Sequence, residues 1–181
     1  MSDVVILSGS PSESSRSDLV LRYIGETLRK ESFTVRHISV RDVPQEALFY
    51  GQFDHPEILE LASIIQNSKG VIVGSPVYKA AYSGVLKAFL DIMPQDVLQG
   101  KPVLPLMTGG SFSHLLAIEY TLKPLLATLK GQNLKGVFIL DNQIDKSLPQ
   151  NPIVDHEVHY RLQKQLNYFV ETLNKKTNLI L

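Results

Sequence analysis

The chain has 181 residues, 44% hydrophobic and 20% charged, and its 18 basic and 18 acidic side chains cancel. This length suits one hydrophobic core, the composition excludes intrinsic disorder, and the balanced charge leaves no footprint for binding nucleic acid or an anionic membrane. Cysteine is absent, which excludes disulfides and thiolate chemistry, and no apolar run reaches membrane length, so a cytoplasmic single domain spanning residues 1–181 is expected.

Val4 to Leu7 forms a short apolar run that reads as a buried strand. A loop rich in hydroxyls follows, with Gly9 for a tight turn and Ser8, Ser10, Ser12, Ser14, Ser15 and Ser17 as donors. From about Ser17 to Lys30 the apolar residues Leu19, Val20, Tyr23, Ile24 and Leu28 recur with helical period. Strand, hydroxyl loop and helix N-terminus together make an anion seat, because the first-turn amides and the positive end of the helix dipole face the loop. The glycine spacing fits neither GxxxxGK[ST] nor GxGxxG. One arginine, Arg16, among serines suits a terminal phosphomonoester and points to a mononucleotide such as FMN. The competing reading is a solvated loop whose serines cap the helix.

Phe33 to Val40 alternates as a second strand, with His37 read as an ordinary strand residue. An irregular connection from Arg41 to His55 carries Ala47, Leu48, Phe49, Tyr50 and Phe53, an apolar set that needs cover from its own core or a neighbouring subunit. Pro56 opens a helix to about Asn67, and Gly70 to Gly74 is a third, central strand. Ser75, Pro76, Val77 and Tyr78 then fall at the carboxyl edge. There the Val77 and Tyr78 amides and an aromatic ring could seat a flat heterocycle, or the segment could be only a rigid turn. A helix capped by Ser83 runs to about Met93, and Lys101 to Thr108 reads as a fourth strand, with Pro105 unfavourable in its middle. That strand empties into Gly109, Gly110, Ser111, Phe112, Ser113 and His114, a second glycine-serine loop. His114 is read either as a ligand contact or as a cap. A helix from Leu115 to Lys130 contains Pro124, where an ordinary kink is the simplest expectation and a π-type turn is the alternative. Gly136 to Asp141 is a fifth strand, and a last helix from about His156 to Leu173 precedes a tail expected to fray from about Asn174. Alternating strands and helices predict an α/β fold, a flavodoxin-like open parallel sheet of five strands in the order 2-1-3-4-5 with helices on both faces.

Three motifs in order, GSPSESSRS, GSPVYKAAYSGVLKAFLD and VLPLMTGGSFSHLLAIEYTLKPLL, resemble the NADPH-dependent FMN reductases. Within that family the resemblance is greatest to the reductase component of two-component alkanesulfonate monooxygenase systems. It implies that Ser10, Ser15, Arg16 and Ser17 hold the FMN phosphate. By the same resemblance Pro76, Val77, Tyr78 and Lys79 border the flavin ring, and Thr108, Gly109, Gly110 and Ser111 complete the pocket. It further implies NADPH as donor, a monooxygenase partner, a homodimer or homotetramer, and a π-helical turn at Tyr120 on an oligomer interface. Ser12 departs from the family pattern, which carries arginine after the proline.

Hydride transfer between nicotinamide and flavin needs stacked rings rather than an acid-base residue, so no catalytic side chain and no metal site is expected. Asp91, Glu119 and Asp141 read as solvated or capping carboxylates. Two other functions fit the same residues: a reductase that retains FMN and reduces quinones or azo compounds, and a flavin-binding electron carrier that does not oxidise NAD(P)H.

Overall fold

Apolar strands alternating with amphipathic helices build an open parallel sheet in the computed structural model, which describes residues 2–178 and side chains through Lys175. Strand β1 (Val4–Ser8) leads into α1 (Arg16–Lys30), β2 (Val35–Ser39), α2 (Gln45–Tyr50) and α3 (Pro56–Gln66). Then come β3 (Gly70–Pro76), α4 (Gly84–Asp91), β4 (Pro102–Gly109), α5 (Lys123–Thr128), β5 (Gln132–Asn133), β6 (Val137–Leu140) and α6 (His156–Asn178). All ladders are parallel and run β2-β1-β3-β4-β5, with β6 also paired to β4.

Residues alternate between two cores across this sheet, as the pleat requires. Val5, Leu7, Val71, Val73, Val103 and Met107 face α3, α4 and the segment leading into α5, where Phe89 is wholly buried. Val4, Ile6, Ile72, Leu104 and Leu106 face α1 and α6, against Leu21, Ile24, Leu162 and Phe169. Each such fully buried side chain contributes about 1.5–3 kcal/mol of transfer free energy. With both faces covered, the carboxyl edge of the strands remains the place for a ligand.

Pro105 sits inside β4, and the fifth strand position explains why it is tolerated. β5 pairs with Pro102 and Val103, whereas β6 pairs with Leu106 to Gly109, so the two are halves of one interrupted strand. The Val103 carbonyl accepts from the Leu134 amide at 2.8 Å. Pro105, two residues on, faces the same neighbour and meets the gap, where no donor is required. Gly136 passes this point at φ +81°, and a Cβ there would stand 2.7 Å from the Pro105 carbonyl oxygen. The order 2-1-3-4-5 holds, with this break as an addition to the sequence expectation.

Three segments differ from that expectation. The connection after β2 is not irregular throughout, because a 3-10 turn, Val40–Asp42, capped by Ser39, precedes α2. Its apolar residues are only partly covered: Ala47 is buried, but Phe49, Tyr50 and Phe53 are at least 70% exposed. The segment from Leu115 to Lys130 is not one kinked helix. A 3-10 turn, Phe112–His114, and a π-helical turn, Ile118–Leu122, precede α5. Pro124 has no N–H for the Tyr120 carbonyl, and the Lys123 amide reaches back five residues to the Ile118 carbonyl, so the backbone widens instead of bending. Finally, α6 continues to Asn178, five residues past Leu173, so the tail from Asn174 is helical as far as it is described. Residues 179–181, the rest of the expected frayed tail, lie outside the described residues.

Candidate functional site

Helix α1 starts where Ser15 can cap it. Ser15 Oγ accepts from the Asp18 amide at 3.2 Å and shares a 2.8 Å hydrogen bond with Ser17 Oγ. Ser10 is buried, and its Oγ accepts from the Ser12 amide at 3.2 Å. Among the described residues no acceptor takes the amide hydrogens of Ser14, Ser15, Arg16 or Ser17, and Arg16 Nε is buried without a partner. Buried donors left unpaired are costly, so this loop is organised for an anion that brings its own oxygens. A terminal phosphate fits this donor set of hydroxyls, amides and one guanidinium. Ser12 and Ser14 are exposed.

The loop is tied to the rest of the carboxyl edge. The Gly9 amide donates to the Gly74 carbonyl at 2.7 Å, and Ser83 Oγ, which caps α4, donates to the Gly9 carbonyl. A Cβ on Gly9 would lie 2.9 Å from Leu86 Cβ and 3.1 Å from the Gly74 oxygen, so only glycine allows this approach. Ser75 Oγ accepts from the Ser83 amide at 3.0 Å and donates to the Pro76 carbonyl at 2.9 Å. In turn, the Val77 amide donates to the Thr108 carbonyl at 2.7 Å, and Gly109 stands close beside Val77. Ser10 to Ser17, Pro76 to Lys79 and Thr108 to Ser111 therefore converge on one edge through these ties.

Two sequence readings change at the second loop. The Val77 amide is engaged by Thr108, and the Tyr78 amide donates to the Ala81 carbonyl at 2.8 Å, so neither amide can serve a ring. Tyr78 and Ala81 close a tight turn in which Lys79 (φ 50°) and Ala80 (φ 67°) are both left-handed. This geometry costs a side-chain-bearing residue about 1 kcal/mol. The Lys79 and Ala80 amides have no acceptor among the described residues and are the donors this loop presents. Thr108 is buried, whereas Ser111 is exposed and caps the following turn through Ser113. Half-buried His114 has an Nδ1 without a partner. Tyr120 lies in the π-helical turn, 76% exposed and away from these loops in sequence.

Asp18 was not singled out by the sequence, yet it organises the ground beneath the phosphate loop. Its side chain is 5% exposed, and it accepts from His37 Nε2 at 3.0 Å and Arg22 Nε at 2.9 Å, with Arg41 Nη2 at 3.5 Å. Burial alone would raise its pKa, but the surrounding side-chain donors, His37 foremost and then Ser8 and Arg22, overrule it and hold the carboxyl well below the usual carboxylate range. His37 is thus a partner of a buried carboxylate, not an ordinary strand residue. An acidic residue in the first turn after a serine cap is common helix chemistry, and nothing in its spacing discloses burial. Only the 2-1 strand order brings His37 and Arg41 to it.

The family model for NADPH-dependent FMN reductases matches residues 2–145. An FMN reductase (NADPH) of Escherichia coli K12 is 42% identical over 96% of this chain and 91% of its own length. An enzyme with the same name from Pseudomonas putida KT2440 is 38% identical over 94% of this chain and 86% of its own. The crystal structure of an NADH:FMN oxidoreductase in its apo form superposes with a TM-score of 0.81 at 36% identity, covering 93% of this chain and 88% of that one.

Proposed function

The chain belongs to the NADPH-dependent FMN reductase family, and from that premise we propose that its three edge loops form the flavin site and that the reduced flavin serves a separate oxygenase. The activity is reduction of FMN by a reduced nicotinamide nucleotide. Bound FMN supplies the hydride acceptor. The observation that carries the site is the serine loop with its unengaged amides and the buried, unpartnered Arg16 Nε.

In this reading Ser10, Ser15, Arg16 and Ser17 bind the terminal phosphate, and Asp18 fixes the helix start beneath them. Pro76, Val77, Tyr78 and Lys79 border the ring, the left-handed turn directing the Lys79 and Ala80 amides outward. Thr108, Gly109, Gly110 and Ser111 close the other side. These residues bind and orient; none is asked to move a proton, and electrostatic and positional effects do the rest. A single guanidinium with neutral hydroxyls suits a flavin that is held for turnover and then released. The receiving oxygenase is of the alkanesulfonate type in this proposal. Exposed Tyr50 and Phe53, and separately Tyr120, are surfaces through which a homodimer or homotetramer would form.

A coupled assay tests this reading. The protein, NADPH, FMN and a flavin-dependent alkanesulfonate monooxygenase should together release sulfite. Release should depend on free FMN and fall with Arg16→Ala. Sulfite formation that ignores added FMN would contradict it.

A further inference from the structure

A groove of about 510 Å³ opens between α2 and α4, lined in part by Pro11, Arg41, Gln45, Phe49, Gly84 and Val85. Resting on the function proposed above, we propose that this groove takes the adenosine end of the nicotinamide nucleotide and that Arg41 receives its 2′-phosphate. The volume falls within the range of small-molecule sites. Pro11 belongs to the phosphate loop, and Gly84 follows Ser83, whose hydroxyl holds the Gly9 carbonyl, so the groove is continuous with the flavin site.

Arg41 is the one charged side chain among the described residues that line the groove. Its Nε is fixed by Ser39 Oγ at 3.1 Å, and its Nη2 makes the longest of the three side-chain nitrogen contacts to Asp18, at 3.5 Å against 2.9 and 3.0 Å. One carboxylate shared among Arg22, His37 and Arg41 leaves the Arg41 charge poorly balanced. The guanidinium is therefore positioned on its inner edge, with Nη1 unbonded and its side chain 24% exposed. A phosphate dianion matches that fork. Phe49, 83% exposed, offers a flat ring for a purine at the groove's rim. A second copy of the chain laid on the groove would bury this guanidinium against an apolar face, a costly arrangement without a partner charge. NADH lacks the 2′-phosphate, so Arg41 is a specificity residue between the two nucleotides.

The test has two arms. Calorimetry on FMN-free protein compares adenosine 2′,5′-bisphosphate with 5′-AMP, and kinetics compare kcat/KM for NADPH and NADH. The variants are Arg41→Gln and Gly84→Glu. A Cβ on Gly84 meets nothing within 4 Å, and an acid in the first turn suits α4, so the second variant charges the groove without disturbing the fold. The wild type should bind the bisphosphate roughly tenfold or more tightly than AMP, as one charge-assisted contact allows. Both variants should erase that margin and lower the NADPH:NADH ratio in proportion. No wild-type turnover of FMN would sink the function reading, and the calorimetric arm would still read the groove. Turnover with an unchanged margin in both variants would overturn this inference alone, as would loss of an oligomer in Gly84→Glu with the margin intact, which would assign the groove to a second copy.

Discussion

Replacing Asp18 with asparagine keeps the shape of the side chain and removes its charge. Asparagine can still accept one hydrogen bond through its oxygen, but its amide would turn toward either His37 or Arg22, both donors. Breaking a buried ion pair from one side costs about 3–5 kcal/mol when the stranded partner is also buried. Here Arg22 is 58% exposed and water can recover it, while His37 and Arg41 are 17% and 24% exposed. A loss of about 2–3 kcal/mol at neutral pH is therefore expected, less than for a pair whose partners are all buried. The native carboxyl titrates well below its unfolded value, so its stabilisation is fully present above the unfolded pKa and is lost as pH falls toward the folded one. Below about pH 3.9 the difference between wild type and Asp18→Asn should shrink by about 1.4 kcal/mol per unit. Urea unfolding at pH 7 and pH 3, with m-values compared, reads both quantities. Equal midpoints at pH 7, or a gap that stays constant down to pH 3, would refute the assignment of Asp18 as a buried, ionised anchor.

Further consequences concern individual contacts. Arg16→Met should raise the KM for FMN by roughly tenfold or more while leaving the unfolding free energy from urea titration within about 0.5 kcal/mol of the wild type, because Arg16 Nε has no protein partner to lose. A loss of stability with no change in KM would make it a structural residue. Gly74→Ala would put a Cβ 2.7 to 3.0 Å from three Leu21 carbons. It should cost about 1–3 kcal/mol, and pairing it with Leu21→Ala should lose less than the sum in a double-mutant cycle. Tyr120→Ser removes a ring that is 76% exposed and so should leave the thermal midpoint of dilute protein unchanged, while sedimentation shifts to a smaller species. An unchanged sedimentation profile would remove Tyr120 from the interface.

Residues that act through local pattern were legible in the sequence. The serine loop, its helix and the 2-1-3-4-5 order followed from apolar period, caps and turn residues, because β1 and α1 are neighbours in both chain and space. Pro105 reads as an obstacle in the sequence because a strand's hydrogen-bonding direction and its neighbour's break are set by the assembled sheet. The Val77 and Tyr78 amides looked available for the same reason, since their acceptors lie on β4 and across a left-handed turn. Pro124 announced a missing donor but could not choose between a kink and a widened turn, as that choice depends on packing against the sheet. Asp18 was missed outright. Beyond Arg22 one turn along α1, its partners are His37 on β2 and Arg41 in the turn that follows, 19 and 23 residues away, and only the fold makes the first turn of α1 a buried charge site.

The central claim is that FMN is reduced here and then leaves. Anaerobic oxidation of NADPH, followed by nicotinamide absorbance while free FMN is titrated, tests it most directly. The account predicts saturable oxidation with one NADPH consumed for each FMN added. Flavin that stays bound through purification, with no turnover of added FMN, would contradict it and leave either a reductase that keeps its flavin or an electron carrier.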